Sequence, residues 1–270
     1  ALSVVGLDIF PLALIWALLV SASRLYLGVH TLGDLEAGLA VAVLAMAVVE
    51  AAGIVEPVLR KRKPEGGRMA QAARPPPHAH DEFARKAVQA ALGLLVVGYA
   101  LALGADAAAL PVAAVLVGGL MLFHLKHRDT GLPLIDAALR WMERPGEPAG
   151  YGALTFFAGM LAALSMLPQE LAVSMVLVLS IADALSALAG QWAKKNGMHH
   201  HPLPHNPDKS YAGSLVFVLA SLPVYLIAGW AGVGAALAAA AAESLPLPVD
   251  DNLLIPWAGI AFAIALKLMH

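Results

Sequence analysis

Residues 181–214 read IADALSALAGQWAKKNGMHHHPLPHNPDKSYAGS. One acid, Asp183, stands inside an otherwise apolar run. Gly190 follows, and a polar loop then brings Lys209, Ser210, Gly213 and Ser214 to the start of the next apolar run. A carboxylate at membrane depth is costly and marks a functional site by default. A lysine followed by small residues is a combination suited to holding phosphate. Together these residues point to nucleotide chemistry at a membrane surface.

The rest of the chain supplies the membrane. Of its 270 residues, 60% are hydrophobic and 13% charged, and the mean hydropathy is +0.74. That composition excludes an ordinary soluble domain. Apolar runs at 4–20, 35–55, 87–103, 107–122, 152–167, 171–189, 212–230, 232–242 and 253–268 approach or exceed the length of a membrane crossing. They predict an all-α polytopic membrane protein with about nine transmembrane helices, of which 232–242 is the shortest and most Ala-rich. Cysteine is absent, which excludes disulfides and thiolate chemistry.

The net charge of -2 identifies no partner, but the placement of the charges is informative. If the chain crosses at every run, the basic loops 60–86, 126–144 and 194–209 share one side and hold every Lys and Arg except Arg24 and Lys267. The positive-inside rule makes that side cytoplasmic. The chain opens on Ala1, with no charged segment before its first apolar run and no small-residue cleavage pattern after it. No signal peptide is expected, and an upstream part of the protein is expected to precede this sequence.

Residues 60–80, rich in Pro, Gly, Arg and Lys and including Pro75-Pro76-Pro77, read as a cytoplasmic linker. The expected division is therefore 1–57, a linker at 58–80, and 81–270. In the first part, Ser23-Arg24 is followed by His30 and Asp34, on the side away from the basic loops. Arginine can clamp phosphate oxygens in a bidentate fork, and a histidine oriented by a carboxylate can act as nucleophile or base. The bland alternative is an interfacial snorkelling arginine and a loop histidine. The full pattern, SRxxxxxHxxxD, resembles the last signature motif of the type 2 phosphatidic acid phosphatase superfamily. That resemblance, over about 4–57, implies that Arg24 binds phosphate, His30 forms a phosphohistidine and Asp34 orients His30. The superfamily's Lys…Arg-Pro and Pro-Ser-Gly-His motifs do not occur here, so this part is expected to be inactive as given, with its motif extracytoplasmic.

In the second part, polar residues gather at the cytoplasmic ends of the runs. They are Asp81 to Lys86, Arg144 to Gly150, Glu243-Ser244-Leu245-Pro246 and Asp250-Asp251-Asn252. Each has a plain reading too: Arg85 and Lys86 as juxtamembrane cations, Asp250 and Asp251 as a helix N-cap. The tract His199-His200-His201 with His205 lacks regular ligand spacing and reads as a polar loop. Gly232 and Gly234 suit close helix packing.

As a set, these blocks resemble the CTP-dependent lipid kinases, the family of dolichol kinase, phytol kinase and the yeast-type diacylglycerol kinase. The resemblance runs from about Asp81 to the C-terminus. It rests on Asp183-Ala184…Gly190, on Lys209-Ser210-Tyr211-Ala212-Gly213-Ser214, and on Glu243-Ser244-Leu245-Pro246…Asp251-Asn252-Leu253. Arg85-Lys86-Ala87-Val88-Gln89 is similar to the family's Arg-Lys-x-x-His, with Gln89 in place of the histidine.

The resemblance implies phosphoryl transfer from CTP, with Mg²⁺, to an isoprenoid or lipid alcohol. Asp183, with Glu243 or Asp251, would hold the metal, and Lys209 would contact phosphate. Arg85, Lys86, Gly190, Ser210, Gly213, Ser214 and Asn252 would line the nucleotide site, with Gly213 and Ser214 offering backbone N–H groups at a helix start. No GxxxxGK[ST] occurs, which excludes an ordinary P-loop. Expected partners are membrane lipids, the alcohol and the nucleotide, and no nucleic acid. Two rivals stay open: a transporter with Asp183 as its coupling site, and a phosphatase for which 81–270 is an anchor.

Overall fold

A computed structural model describes residues 79–127, 150–196 and 202–268, together with Thr31, Asp34, Glu36, Gly38, Leu39 and Ala42. Arg24, His30, most of the two runs before residue 57, residues 58–78 of the expected linker and the three consecutive histidines lie outside the described residues, whereas the linker's last two residues, Ala79 and His80, are helical.

What is described is almost wholly helical. Helix α1 (Ala79–Leu103) stops at Gly104, whose φ of 99° turns the chain into α2 (Ala105–His127). Helix α3 (Tyr151–Met166) ends before Pro168, and α4 (Gln169–Leu177) starts directly after it, as the ring's fixed φ favours. A π-helical turn (Val178–Ala182) carries α4 into α5 (Asp183–Lys195) without a break. A short antiparallel hairpin, β1 (Pro202–Leu203) and β2 (Asn206–Ser210), leads into α6 (Tyr211–Ser221). A 3-10 turn (Leu222–Val224) joins it to α7 (Tyr225–Ser244), and α8 (Asp251–Leu268) follows.

Four helical runs are long and apolar enough to cross a membrane: Glu82–Leu103, Ala105–Phe123, Gln169–Lys195 and Tyr211–Ser244. Tyr151–Met166 and Asp251–Leu266 are apolar but shorter. The 34 residues of Tyr211–Ser244 do not form one rod. Straight, they would extend about 51 Å, yet Lys209 just before them bonds to Glu243 near their end, and Asn206 Nδ2 donates to Ser244 O at 3.2 Å. The reversal is at Gly229, with φ 56° and ψ -144°, a conformation that is essentially closed to residues with a Cβ. The break falls two residues before the gap between the runs 212–230 and 232–242.

The centre of the bundle is where α3, α4 and α8 meet, with Met160, Leu161, Met175, Leu179, Leu253 and Ile260 fully buried. Small residues permit the close approach. A Cβ on Gly159 would lie 2.0 Å from Asn252 O on α8, and one on Gly234 would lie 2.3 Å from the Phe262 ring. Gly234 thus serves the packing of α7 on α8. This architecture gathers the N-terminal part of α1, α5 from Asp183 onward, the start of α6, the end of α7 and the start of α8 at one end of the bundle. The turns at Gly104 and Pro168 sit together at the other, where Gln169 Nε2 reaches Ala100 O at 3.5 Å.

Candidate functional site

The gathered helix ends enclose a polar cavity of about 360 Å³, at the lower end of the range for small-molecule sites. Asp183, Ser186, Gly190 and Lys194 line it from α5, Glu82 and Lys86 from α1, Asp208, Lys209 and Ser210 from β2, and Gly213 and Ser214 from α6. Glu243 and Asp251 close it from α7 and α8. Asp183, Lys209, Glu243 and Asp251, drawn from three separate blocks of sequence, therefore meet in one place.

They meet as two ion-paired groups. On one wall, the Lys86 ammonium donates to Asp183 Oδ2, and both side chains are almost wholly buried. Gln89, one turn further along α1, donates from Nε2 to the same oxygen at 3.2 Å. On the other wall, Lys209 Nζ donates to a Glu243 carboxylate oxygen and, at 2.8 Å, to Asp251 Oδ2. Burial works against the Lys209 charge, but Asp251 and Glu243 outweigh it and hold the amine above its ordinary value of 10.5.

The neighbouring residues divide the remaining work. Asp250 caps α8, its Oδ1 accepting from Asn252 N at 2.9 Å. That leaves Asp251 free of capping and turned to Lys209. Ser210 caps α6 by accepting from Gly213 N at 3.1 Å, so the Gly213 N–H expected to meet a phosphate is already bonded. Gly213 matters instead for space: a Cβ there would lie 3.1 Å from Ser186 O, and one on Gly190 would lie 3.3 Å from Ser210 Oγ. Both glycines let α5 and α6 close the cavity floor. Ser214 Oγ, in the cavity wall, is buried with no hydrogen-bond partner. Arg85 is turned to Glu82, to which its Nε donates at 3.0 Å.

Asn252 lies behind the cavity wall. Its Oδ1 accepts from Gln89 Nε2 at 3.1 Å, and its Nδ2 donates to Thr155 Oγ1 and Gly152 O, both at 3.3 Å. The sequence shows Gln89 only as the replacement for the histidine of Arg-Lys-x-x-His and gives no sign of Thr155. The available signal was position: Gln89 stands three residues after Lys86 in an apolar run, on the same helix face. In the first part of the chain, Asp34 Oδ2 accepts from Thr31 N at 2.7 Å and Thr31 Oγ1 at 2.9 Å, while Thr31 Oγ1 accepts from Asp34 N. That is a reciprocal cap at the start of a helix.

Among the described residues, no group of three His, Asp or Glu is spaced to hold a metal ion. Asp183 is engaged by Lys86, whereas Glu243 and Asp251 face one cationic nitrogen together. Two carboxylates converging on one positive charge are a donor set that suits Mg²⁺, which is commonly held by one or two carboxylates plus substrate phosphates. Compared with protein-family models, curated proteins and solved structures, the chain matches none.

Proposed function

We propose that this chain is an integral membrane lipid kinase that transfers a phosphoryl group from CTP to an isoprenoid or lipid alcohol. The observation that carries the reading is the convergence of Asp183, Lys86, Lys209, Glu243 and Asp251 on one cavity at the end of a bundle of membrane-length helices. An alcohol can approach such a cavity with its tail still in lipid. The basic loops put this end in the cytoplasm, where nucleotides are, under the positive-inside rule. This chain then crosses the cell membrane about nine times, with residues 1–57 as the C-terminal fragment of a phosphatase-like domain whose Arg24, His30 and Asp34 face the other side.

Phosphoryl transfer asks a protein mainly for positioning and charge neutralisation around a loose transition state. The cavity lining carries five acids (Glu82, Asp183, Asp208, Glu243, Asp251) against three lysines (Lys86, Lys194, Lys209). A bare triphosphate would be repelled from that lining, which favours a nucleotide that arrives with a divalent cation. Glu243 and Asp251 would hold Mg²⁺, which when bound supplies charge neutralisation at the phosphate oxygens. Lys209 and Lys86 offset the negative charge on the transferring group. The alcohol oxygen bonds to the γ-phosphorus as the bond to the β–γ bridging oxygen breaks, and CDP leaves. Asp183 accepts the hydroxyl proton.

The test is purified protein in micelles, with CTP, ATP, GTP and UTP crossed against phytol-like, dolichol-like and diacylglycerol acceptors. Phosphorylated lipid should form with CTP and disappear in Asp183→Asn and Lys209→Ala. Full activity in both variants would reject the assignment. A buried Lys–Asp pair within a span is also what an ion-coupled transporter carries. That reading gains ground if no nucleotide supports transfer while Asp183→Asn abolishes a substrate-dependent proton flux in liposomes.

A further inference from the structure

The chain reaches Asp183 through the π-helical turn Val178–Ala182. Such turns insert a residue into a helix, shift the register of everything beyond, and are frequent at functional sites. Here the Asp183 N–H bonds to Val178 O, five residues back, and not to Leu179 O. The Leu179 carbonyl is thereby released from the helical ladder in a buried place. Gln89 Nε2 reaches that carbonyl at 3.4 Å, and also donates to Asp183 Oδ2 at 3.2 Å and Asn252 Oδ1 at 3.1 Å. One buried amide from α1 thus touches the π turn, the acid the turn presents, and the residue next to Asp251 on α8.

We infer that Gln89 is a positioning residue that aims Asp183 and ties it to the α8 turn carrying Asp251. The tie has a direction. Gln89 donates to Asn252, Asn252 donates to Thr155, and Thr155 Oγ1 reaches Asp250 Oδ1 at 3.2 Å, so Asp250 anchors the far end while capping α8. A side-chain amide suits this place because its NH₂ can serve acceptors on several helices. A neutral imidazole offers one N–H. The fit is tight next to it: a Cβ on Gly93, one turn further along α1, would lie 1.7 Å from Ser180 Oγ in the π turn. Gly93 lets α1 lie against the turn closely enough for Gln89 to reach it.

The catalytic part of this inference rests on the kinase reading, so the experiment has one arm that needs no activity. Gln89→Met keeps the length and removes the donor; Asn252→Leu cuts the same link at its other end. In nucleotide-free protein, melting temperatures are measured for Gln89→Met, Asp183→Asn and the double variant, and again with Asn252→Leu in place of Gln89→Met. Coupled residues give a double variant shifted by less than the sum of the singles. Shifts that simply add in both cycles overturn the link.

In the kinase assay, kcat should fall by about 10–100-fold in Gln89→Met and Asn252→Leu, the usual cost of losing a group that orients a reactive one. KM for CTP should stay within about threefold, because an effect confined to the transition state leaves nucleotide binding alone. A folded variant with kcat within about twofold of the parent, or a rise in KM that accounts for the loss, overturns the positioning role. If the parent protein transfers no phosphate, the kinase reading fails and the melting cycles alone decide whether Gln89 holds Asp183.

Discussion

Replacing Lys86 with methionine tests the most buried charge among the described residues. The Lys86 and Asp183 side chains are 3% and 6% exposed. Exposed ion pairs contribute little, because water screens them and two long side chains must be immobilised; that discount does not apply here. Methionine fills most of the lysine's volume, so the change is chiefly one of charge. It leaves Asp183 with Gln89 Nε2 at 3.2 Å on the oxygen that Lys86 also bonded. Breaking a buried pair from one side costs about 3–5 kcal/mol, because the other charge stays behind uncompensated. At about 2–4 °C per kcal/mol for a chain of this size, melting should fall by about 6–20 °C. Removing both charges in Lys86→Met/Asp183→Asn should recover most of it, since a buried pair replaced as a unit is often neutral. Unfolding in micelles, followed by the fluorescence of the five tryptophans, reads both variants. The reasoning fails if Lys86→Met melts within about 2 °C of the parent, or if the double variant is no more stable than the single one.

Gly159→Ala should destabilise by at least about 1–3 kcal/mol, the usual range for overpacking, because the new methyl would sit 2.0 Å from Asn252 O on α8; the same melting assay reads it. Lys209 has a folded pKa raised above 10.5, so its stabilisation is complete below 10.5 and lost only as pH rises through the higher folded value. The melting gap between the parent and Lys209→Gln should therefore stay flat from about pH 7 to 9; a gap that closes in that window contradicts the pairing. The absence of cysteine makes single-cysteine labelling clean. Asp208→Cys at the cavity and Trp230→Cys beside the Gly229 reversal should react with an impermeant maleimide from opposite sides of the membrane; labelling from one side contradicts the topology.

Much of the site was legible because polar residues in apolar runs are conspicuous. Asp183 stands inside such a run, Lys209, Glu243 and Asp251 stand at or near the ends of others, and the charge bias assigns them one side. The reversal at Gly229 was legible as a gap between two apolar runs. Pairing was not. Lys209 reads as a free phosphate ligand in sequence, whereas in the fold two carboxylates hold it, a contact across 34 and 42 positions that no local pattern encodes. The π turn was hidden for a different reason: residues 178–182, Val-Leu-Ser-Ile-Ala, are compatible with any buried helix. The sequence marks the place of Gln89, three residues after Lys86, but not its partners, which lie 90, 94 and 163 positions away.

The central claim is that the cavity between Asp183 and Lys209 transfers phosphate from CTP to a membrane alcohol. The most direct measurement is transfer of label from γ-³²P-CTP to a lipid acceptor by purified protein, for the parent and Asp183→Asn, with both shown to be folded by their melting curves. Labelled lipid phosphate from the parent and about 100-fold less or none from the variant is the predicted result. Equal labelling by both, or none by a folded parent with any isoprenoid alcohol or diacylglycerol, would contradict it.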